Sequence, residues 1–334
     1  MLVLGIESSC DETAAAVVEK GAVIRSSVVA SQINVHSRYG GVVPELASRK
    51  HIEAIVPVIQ EALDAAGVIF PDIDGIAVTR GPGLMGSLIV GMSLAKSLAY
   101  GLGIPYVGVN HIEGHIAAVF LGDDPPCFPF IALVVSGGHT HLYVVKGFGS
   151  SRLLGQTRDD AAGEAYDKAA KMLNLGYPGG VIIDRLARKG NPSALSFPRA
   201  LRGEGYDFSF SGLKTALLYH LRKRGDMPVE GELADLAASY QDAIVEVLVE
   251  KTIRAADETG IPRIVVAGGV ASNSRLRERF RESVGTRRLG LFIPSPELCT
   301  DNAAMIAAVG NAFLERGRKD SLDLGAVSRW PLEE

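Results

Sequence analysis

Leu2-Val3-Leu4-Gly5-Ile6-Glu7-Ser8-Ser9-Cys10-Asp11-Glu12-Thr13-Ala14-Ala15-Ala16-Val17-Val18-Glu19 decides the architecture. Residues 2–7 and 14–19 read as two strands joined by a polar turn, residues 8–13. The same design recurs at Ile131 to Val135 and His141 to Val145, with Ser136-Gly137-Gly138-His139-Thr140 as the turn. A strand, a Ser/Gly/Thr-rich turn and a second strand, repeated about 130 residues apart, predict a duplicated domain. Ile76-Ala77-Val78-Thr79 and Ile264-Val265-Val266-Ala267 are further buried strands. Each runs into a glycine-bearing loop, Gly81 to Gly86 or Gly268 to Asn273, and then a helix. Strands alternating with helices place the chain in the α/β class.

Two such halves resemble the duplicated, two-lobed actin-like ATPase (ASKHA) fold shared with sugar kinases and Hsp70. That resemblance implies a central inter-lobe cleft, with nucleotide phosphates held against the two hairpin turns. Turn amides suit oxyanions, because glycine lets the main chain approach and point its donors inward. The plainer alternative is that both turns are merely tight hairpins.

Bulk properties narrow the class further. The chain has 334 residues, enough for two domains of roughly 150 residues each. With 47% apolar and 22% charged residues, its composition is that of a soluble globular protein. The N-terminus has no basic n-region and reads as a core strand, not a signal peptide. Ser87 to Ile104 carries Lys96 in its middle and is a poor membrane span. Cys10, Cys127 and Cys299 show no CxxC spacing, so a reducing, cytoplasmic setting without membrane attachment is expected. A net charge of −4 requires any nucleic-acid surface to be a local basic patch. Arg275, Arg277, Arg279, Arg281, Arg287 and Arg288 are candidates, as are Arg222, Lys223 and Arg224; a solvated helix face is the alternative.

Two motifs invite misreading. Gly81-Pro82-Gly83-Leu84-Met85-Gly86 fits GxGxxG, but Ser87-Leu88 follows where a P-loop has Lys then Ser/Thr. The next strand ends at Asn110, where a Rossmann unit has an acidic residue, so the glycines read as a tight helix entry. His111-Ile112-Glu113-Gly114-His115 places two histidines at i and i+4 on one helical face, suited to sharing a divalent metal. A zincin has its Glu directly after the first His; here it lies about 100° further round the helix. Packing alone also accounts for the pair until a third ligand is found. Asp301 is the candidate, although it and Thr300 are equally candidate N-caps of the apolar helix that follows.

These motifs together resemble the TsaD-type tRNA N6-adenosine threonylcarbamoyltransferases, in the bacterial branch. The resemblance rests on Gly5-Ile6-Glu7-Ser8-Ser9-Cys10-Asp11-Glu12-Thr13, Gly41-Val42-Val43-Pro44-Glu45-Leu46-Ala47-Ser48-Arg49 and His111-Ile112-Glu113-Gly114-His115. It rests equally on Val135-Ser136-Gly137-Gly138-His139-Thr140, Ala165-Tyr166-Asp167-Lys168, Phe208 to Thr215, and Gly268-Gly269-Val270-Ala271-Ser272-Asn273. It runs from residue 1 to about residue 310, with the blocks in order, and a fused kinase domain is not expected.

What the resemblance implies is specific. His111, His115 and Asp301 would bind one metal per subunit, iron or zinc. The nucleotide of threonylcarbamoyl-AMP would lie at Val134, Val135, Ser136, Gly137, Gly138, Asp167, Gly180, Asp184 and Asn273. The acceptor would be the exocyclic amine of the adenosine 3′ of the anticodon in ANN-decoding tRNA, with AMP released. Partners would be a shorter TsaB-like paralogue and a small TsaE-like ATPase. The expected lobes are residues 1–108 plus 302–334, and residues 109–301 carrying the metal and most nucleotide contacts.

Residue chemistry adds roles. Asp167 and Asp184 are acceptors for ribose hydroxyls, although Asp167 is also placed for an intrahelical pair with Lys168 or Lys171. Asn273 is placed to cap a helix or to contact adenine. Amides of Ser136, Gly137 and Gly138 are candidate oxyanion donors. Asp11 is the first candidate general base for the adenine amine and Glu12 the second, the alternative for Asp11 being to order its own turn. A metallopeptidase, a non-catalytic nucleotide-binding subunit and a sugar kinase are the competing functions. The first lacks a correctly placed Glu, the second would lack the metal residues, and the third has no need of the His pair.

Overall fold

The computed structural model describes residues 1–332. Its contacts form two compact units. Unit 1 comprises residues 1–126, 147–151 and the described chain from 297; unit 2 comprises residues 127–146 and 152–296.

Unit 1 begins with β1 (Leu2–Glu7), β2 (Glu12–Glu19) and β3 (Val23–Ser31), then the short α1 (Ile33–His36) and the long α2 (Pro44–Ala66). β4 (Gly75–Gly81), α3 (Met85–Leu102), β5 (Tyr106–Asn110) and α4 (His111–Ala117) follow. In unit 2, β6 (Phe130–Val135) and β7 (Thr140–Gly147) make the second hairpin, and β8 (Ser150–Gln156) returns beside it. Then come α5 (Ala162–Met172), α6 (Gly179–Ala187), α7 (Ser211–Arg224) and α8 (Glu230–Thr259). β9 (Arg263–Ala267), α9 (Ser274–Gly285) and β10 (Gly290–Phe292) complete it, and α10 (Pro296–Cys299) and α11 (Ala303–Glu315) return the chain to unit 1.

The strand orders are β3-β2-β1-β4-β5 and β10-β9-β6-β7-β8. β1 is antiparallel to β2 and parallel to β4; β6 is antiparallel to β7 and parallel to β9. Read from the hairpin outward, the second sheet has the topology of the first, so the α/β class and the duplication expected from the hairpins are present. The first hairpin turn is tighter than expected. Glu12 and Thr13 belong to β2, because they pair with Ser31 and Ala30 of β3, a strand that no sequence motif announced.

The segment from 109 to 126 also lies elsewhere than the expected lobe boundaries put it. α4 packs on α11 and β5, so residues 111, 115 and 301 all sit in unit 1.

Strand alternation explains the layering of unit 1. Successive side chains of a strand point to opposite faces. Leu4, Ile6, Ala15, Val17, Ile76 and Val78 therefore join the core under α2 and α3. Val3, Ala14, Ala16, Val18 and Ala77 join the core beneath α11. α11 comes so close that a Cβ at Gly5 would sit 2.2 Å from the Ala303 carbonyl oxygen, and one at Gly310 would sit 2.2 Å from Ala77 Cβ. Gly5→Ala should therefore lower the unfolding temperature of unit 1 by several degrees, about 1–3 kcal/mol of overpacking. Differential scanning calorimetry checks this, with Gly137→Ala as the neutral control, since its Cβ would meet nothing within 4 Å.

Candidate active site

α4 begins where β5 ends. Asn110 caps it, its Oδ1 accepting from the amides of Ile112 at 2.9 Å and Glu113 at 3.4 Å. The cap fixes the first turn, so His111 and His115 lie one turn apart, edge to face, with ring centroids 4.7 Å apart. The chain returns through Asn302, which caps α11 by accepting from the Met305 amide at 2.9 Å. Capping thus falls to Asn302, and Asp301 turns to the histidines. Its Oδ1 lies 3.1 Å from His115 Nε2 and 3.7 Å from His111 Nε2.

One ligand atom from each of His111, His115 and Asp301 lies within 4.8 Å of the others. His115 is fully buried; its Nε2 meets Asp301 Oδ1 without making a hydrogen bond, and its Nδ1 makes none either. An unsatisfied buried nitrogen is costly, and a cation held at this point would satisfy it. Two imidazoles and a carboxylate are a donor set that suits zinc or iron. The residues therefore fit the expected metal.

Glu113 takes no part. It is buried, accepts from the Gly149 amide at 2.5 Å, and burial raises its pKa against the pull of Arg318 and Arg316. A peptidase reading has no base at this position.

Sequence motifs passed over Glu7 and His51. Glu7 is buried beneath the cluster, its Oε2 3.0 Å from His111 Nδ1. The signal was a carboxylate ending an otherwise apolar strand. His51 of α2 holds the first hairpin turn: its Nδ1 is 2.7 Å from Thr13 Oγ1 and its Nε2 3.0 Å from the Cys10 carbonyl oxygen.

Asp11 ends that turn and Glu12 opens β2. Burial raises Asp11, aided by Asp301 and opposed by a hydrogen bond with Cys10. Burial raises Glu12 further, to about 7, with Asp11 and Asp301 adding to the effect. Glu12 Oε1 accepts from Ser31 Oγ at 2.8 Å, while Oε2 is buried without a hydrogen-bond partner.

In unit 2 the turn between β6 and β7 packs against glycines. A Cβ at Gly163 would meet the Ser136 carbonyl at 2.5 Å, and one at Gly268 the Val135 carbonyl at 2.4 Å. By contrast, a Cβ at Gly137, Gly138 or Gly269 would meet nothing within 4 Å. Protein packing does not demand glycine at those three positions, which leaves space for a ligand against the main chain. Val134 and Val135 end β6 fully buried, and Ser136 donates its amide to the His139 carbonyl at 2.8 Å.

Asp167 accepts from the Gly179 amide at 2.7 Å, pinning the α6 entry that carries Gly180. Asp184 accepts from Ser274 Oγ at 2.7 Å and from Arg188 at 2.8 Å. Asn273 both caps α9, through the Leu276 amide at 2.9 Å, and donates to Gln241 Oε1 at 2.6 Å.

The basic run is largely occupied. Arg275 pairs with Asp242 and Glu278, and Arg277 donates to the carbonyls of Ala271 and Pro294, both at 2.7 Å. Arg279 and Arg287 line a surface cavity of about 390 Å³ with Arg202 and Arg254, where Glu246, Glu250 and Asp257 offset their charge.

A family model described as tRNA N6-adenosine threonylcarbamoyltransferase matches residues 23–308. The chain is similar to the protein of that name from Syntrophus aciditrophicus, 64% identical over 100% of this chain and 98% of the relative. It is 58% identical to that of Trichlorobacter lovleyi, over 100% and 98%. In fold it is similar to HypF of T. kodakarensis, with a TM-score of 0.63, 16% identity, and 94% and 48% of the two chains covered. It is also similar to component A of the Acidaminococcus fermentans (R)-2-hydroxyglutaryl-CoA dehydratase, with a TM-score of 0.55, 16% identity, and 93% and 98% covered.

The cluster makes a direct prediction. Metal-stripped protein should take up one zinc per chain in a chelator competition. His115→Ala, which removes the buried unsatisfied imidazole, should weaken that uptake at least 100-fold, on the order of 3 kcal/mol. Undiminished uptake by the variant would remove the cluster as the site.

Proposed function

Because the chain belongs to the tRNA N6-adenosine threonylcarbamoyltransferase family, we propose that it moves the threonylcarbamoyl group of threonylcarbamoyl-AMP onto the exocyclic amine of the tRNA adenosine 3′ of the anticodon. The observation that carries the chemistry is the His111–His115–Asp301 cluster, tied through Ser9 to the turn that ends in Asp11 and leads into Glu12 of β2. A non-catalytic subunit would have no use for that arrangement.

The reaction is an acyl transfer. The adenosine N6 attacks the carbamoyl carbon, a C–N bond forms, the C–O bond to phosphate breaks, and AMP leaves. One N6 proton must go to a base. Asp11 was the first candidate, but the environment favours Glu12, whose pKa of about 7 suits proton acceptance at neutral pH. In unit 2 the nucleotide is assigned to the β6–β7 turn, with Asp167 and Gly180 at the α6 entry. The Ser136 amide is committed within the turn, so the oxyanion role falls to Gly137 and Gly138. Asp184 and Asn273 shape this region through α9, and Asp184 would reach a ribose only by giving up Ser274 or Arg188. The metal, iron or zinc, supplies Lewis acidity toward the donor when bound.

Partners and location complete the reading. α2 and α3 pack on each other and leave Ile52 65%, Val56 62% and Ile89 49% exposed. This apolar face is assigned to a TsaB-like paralogue, with a TsaE-like ATPase as the further partner, in the cytoplasm. The tRNA backbone is assigned to the outer end of α9, at Arg281 and Arg288, since Arg275 and Arg277 are held within their own unit.

Nucleoside mass analysis tests the activity. tRNA incubated with threonine, bicarbonate, ATP, the donor-making enzyme and both partners should acquire threonylcarbamoyladenosine. The purified chain alone should show little turnover, and robust multiple turnover would refute the partner requirement. The pH profile tests the base. A group with pKa about 7 becomes competent as pH rises, so kcat/KM should climb tenfold per unit below pH 7 and level above about 8. Glu12→Gln should lower it by roughly 10²–10⁴ and erase that limb. A limb that survives in Glu12→Gln assigns the base elsewhere.

A further inference from the structure

Strand register places a carboxylate beneath the metal-ligand cluster. Gly5 of β1 pairs with Ala77 of β4, and two residues on, Glu7 and Thr79 point to the same face, toward α11 and α4. Glu7 is 0% exposed. Its Oε1 accepts from the Ser9 amide at 2.5 Å, and its Oε2 accepts from Thr79 Oγ1 at 2.7 Å. The same Oε2 is 3.0 Å from His111 Nδ1, while His111 Nε2 is the ring atom that faces Asp301.

We propose that Glu7 is the positioning residue of the metal centre, accepting the Nδ1 proton of His111 in a hydrogen bond so that the Nε2 lone pair is presented to the metal. The inference rests on the metal reading above and deepens it. A ligating imidazole commonly donates its second N–H to a carboxylate, which fixes both the ring and its tautomer. Here the carboxylate is itself held on three sides. Ser9 and Thr79 both donate to it, so it can only accept from His111. Ser9 Oγ lies 3.2 Å from the same Nδ1 and does not change this.

Glu7→Gln reverses the arrangement without changing shape. Its carbonyl oxygen remains with the Ser9 amide, and its NH₂ falls where Oε2 was. That NH₂ donates to Nδ1, which drives the remaining proton to Nε2 and withdraws the ligand lone pair.

Zinc competition against a chromophoric chelator on metal-stripped protein reads the effect without any transfer assay. Glu7→Gln should bind zinc roughly 10–100-fold more weakly than the natural chain. The shorter pair Glu7→Asp and Glu7→Asn separates the acceptor from packing, since both leave the same gap. Asp should bind at least fivefold more tightly than Asn. If the natural chain takes up no stoichiometric zinc, the metal reading falls and this inference with it. If the natural chain binds zinc and a folded Glu7→Gln matches it within threefold, or Asp and Asn bind equally, the role of Glu7 alone is overturned.

Discussion

The approach of α11 to the first sheet is the constraint on which the metal-ligand cluster depends. Ala303 and Ala307 can lie against β1 only because residue 5 has no side chain, and Gly310 can lie against Ala77 for the same reason. That contact sets where the helix begins, and it begins at Ala303, immediately after Asp301 and the cap Asn302. A displaced α11 would carry Asp301 away from α4, whose own start is fixed by Asn110. Two helix caps and two glycines thus bring together ligands that are far apart in sequence.

Environment then divides three carboxylates in one short stretch between different tasks. Burial raises all three, but Glu7 has His111 beside it and is held below its ordinary value. Glu12 has only the Ser31 hydroxyl and is surrounded by the like charges of Asp11 and Asp301, so its proton is held to about 7. Asp11 is raised by the same burial but keeps a hydrogen bond with Cys10. Charge partners thus distinguish a fixed anion from a group able to exchange a proton near neutrality.

The two hairpins were legible because strand, turn and strand repeat with the same residue types, and the sheet topology confirms the duplication they imply. β3 and β8 were not legible: half-exposed, with their short apolar pairs and triplets broken by serines and arginines, they are made strands by pairing with β2 and β7. The i, i+4 histidines showed themselves through helical spacing, whereas their unit depended on α4 packing against α11, a contact across nearly 190 residues that no local pattern reveals. Thr300 and Asp301 were the candidate caps, yet Asn302 caps α11 and leaves Asp301 for the histidines. Asp184 and Asn273 carry the donors and acceptors a nucleotide needs, but Ser274, Arg188 and Gln241 answer them within the protein. The alternating arginines stood as candidates for a basic patch because sequence spacing does not show Asp242 or the carbonyl of Pro294.

Unit 2 is inserted within unit 1, and that order matters on the ribosome. Glu297, where the chain re-enters unit 1, emerges roughly 170 residues after Pro126, on the order of ten to thirty seconds of synthesis at 5–20 residues per second. Throughout that interval β1, β4 and β5 exist without α11, and the alanine-rich face of their sheet lacks its main cover. The inserted unit is complete before its host can close. Among the described residues, the last helix of unit 1 to emerge, α11, is also the one that sets the position of the third ligand.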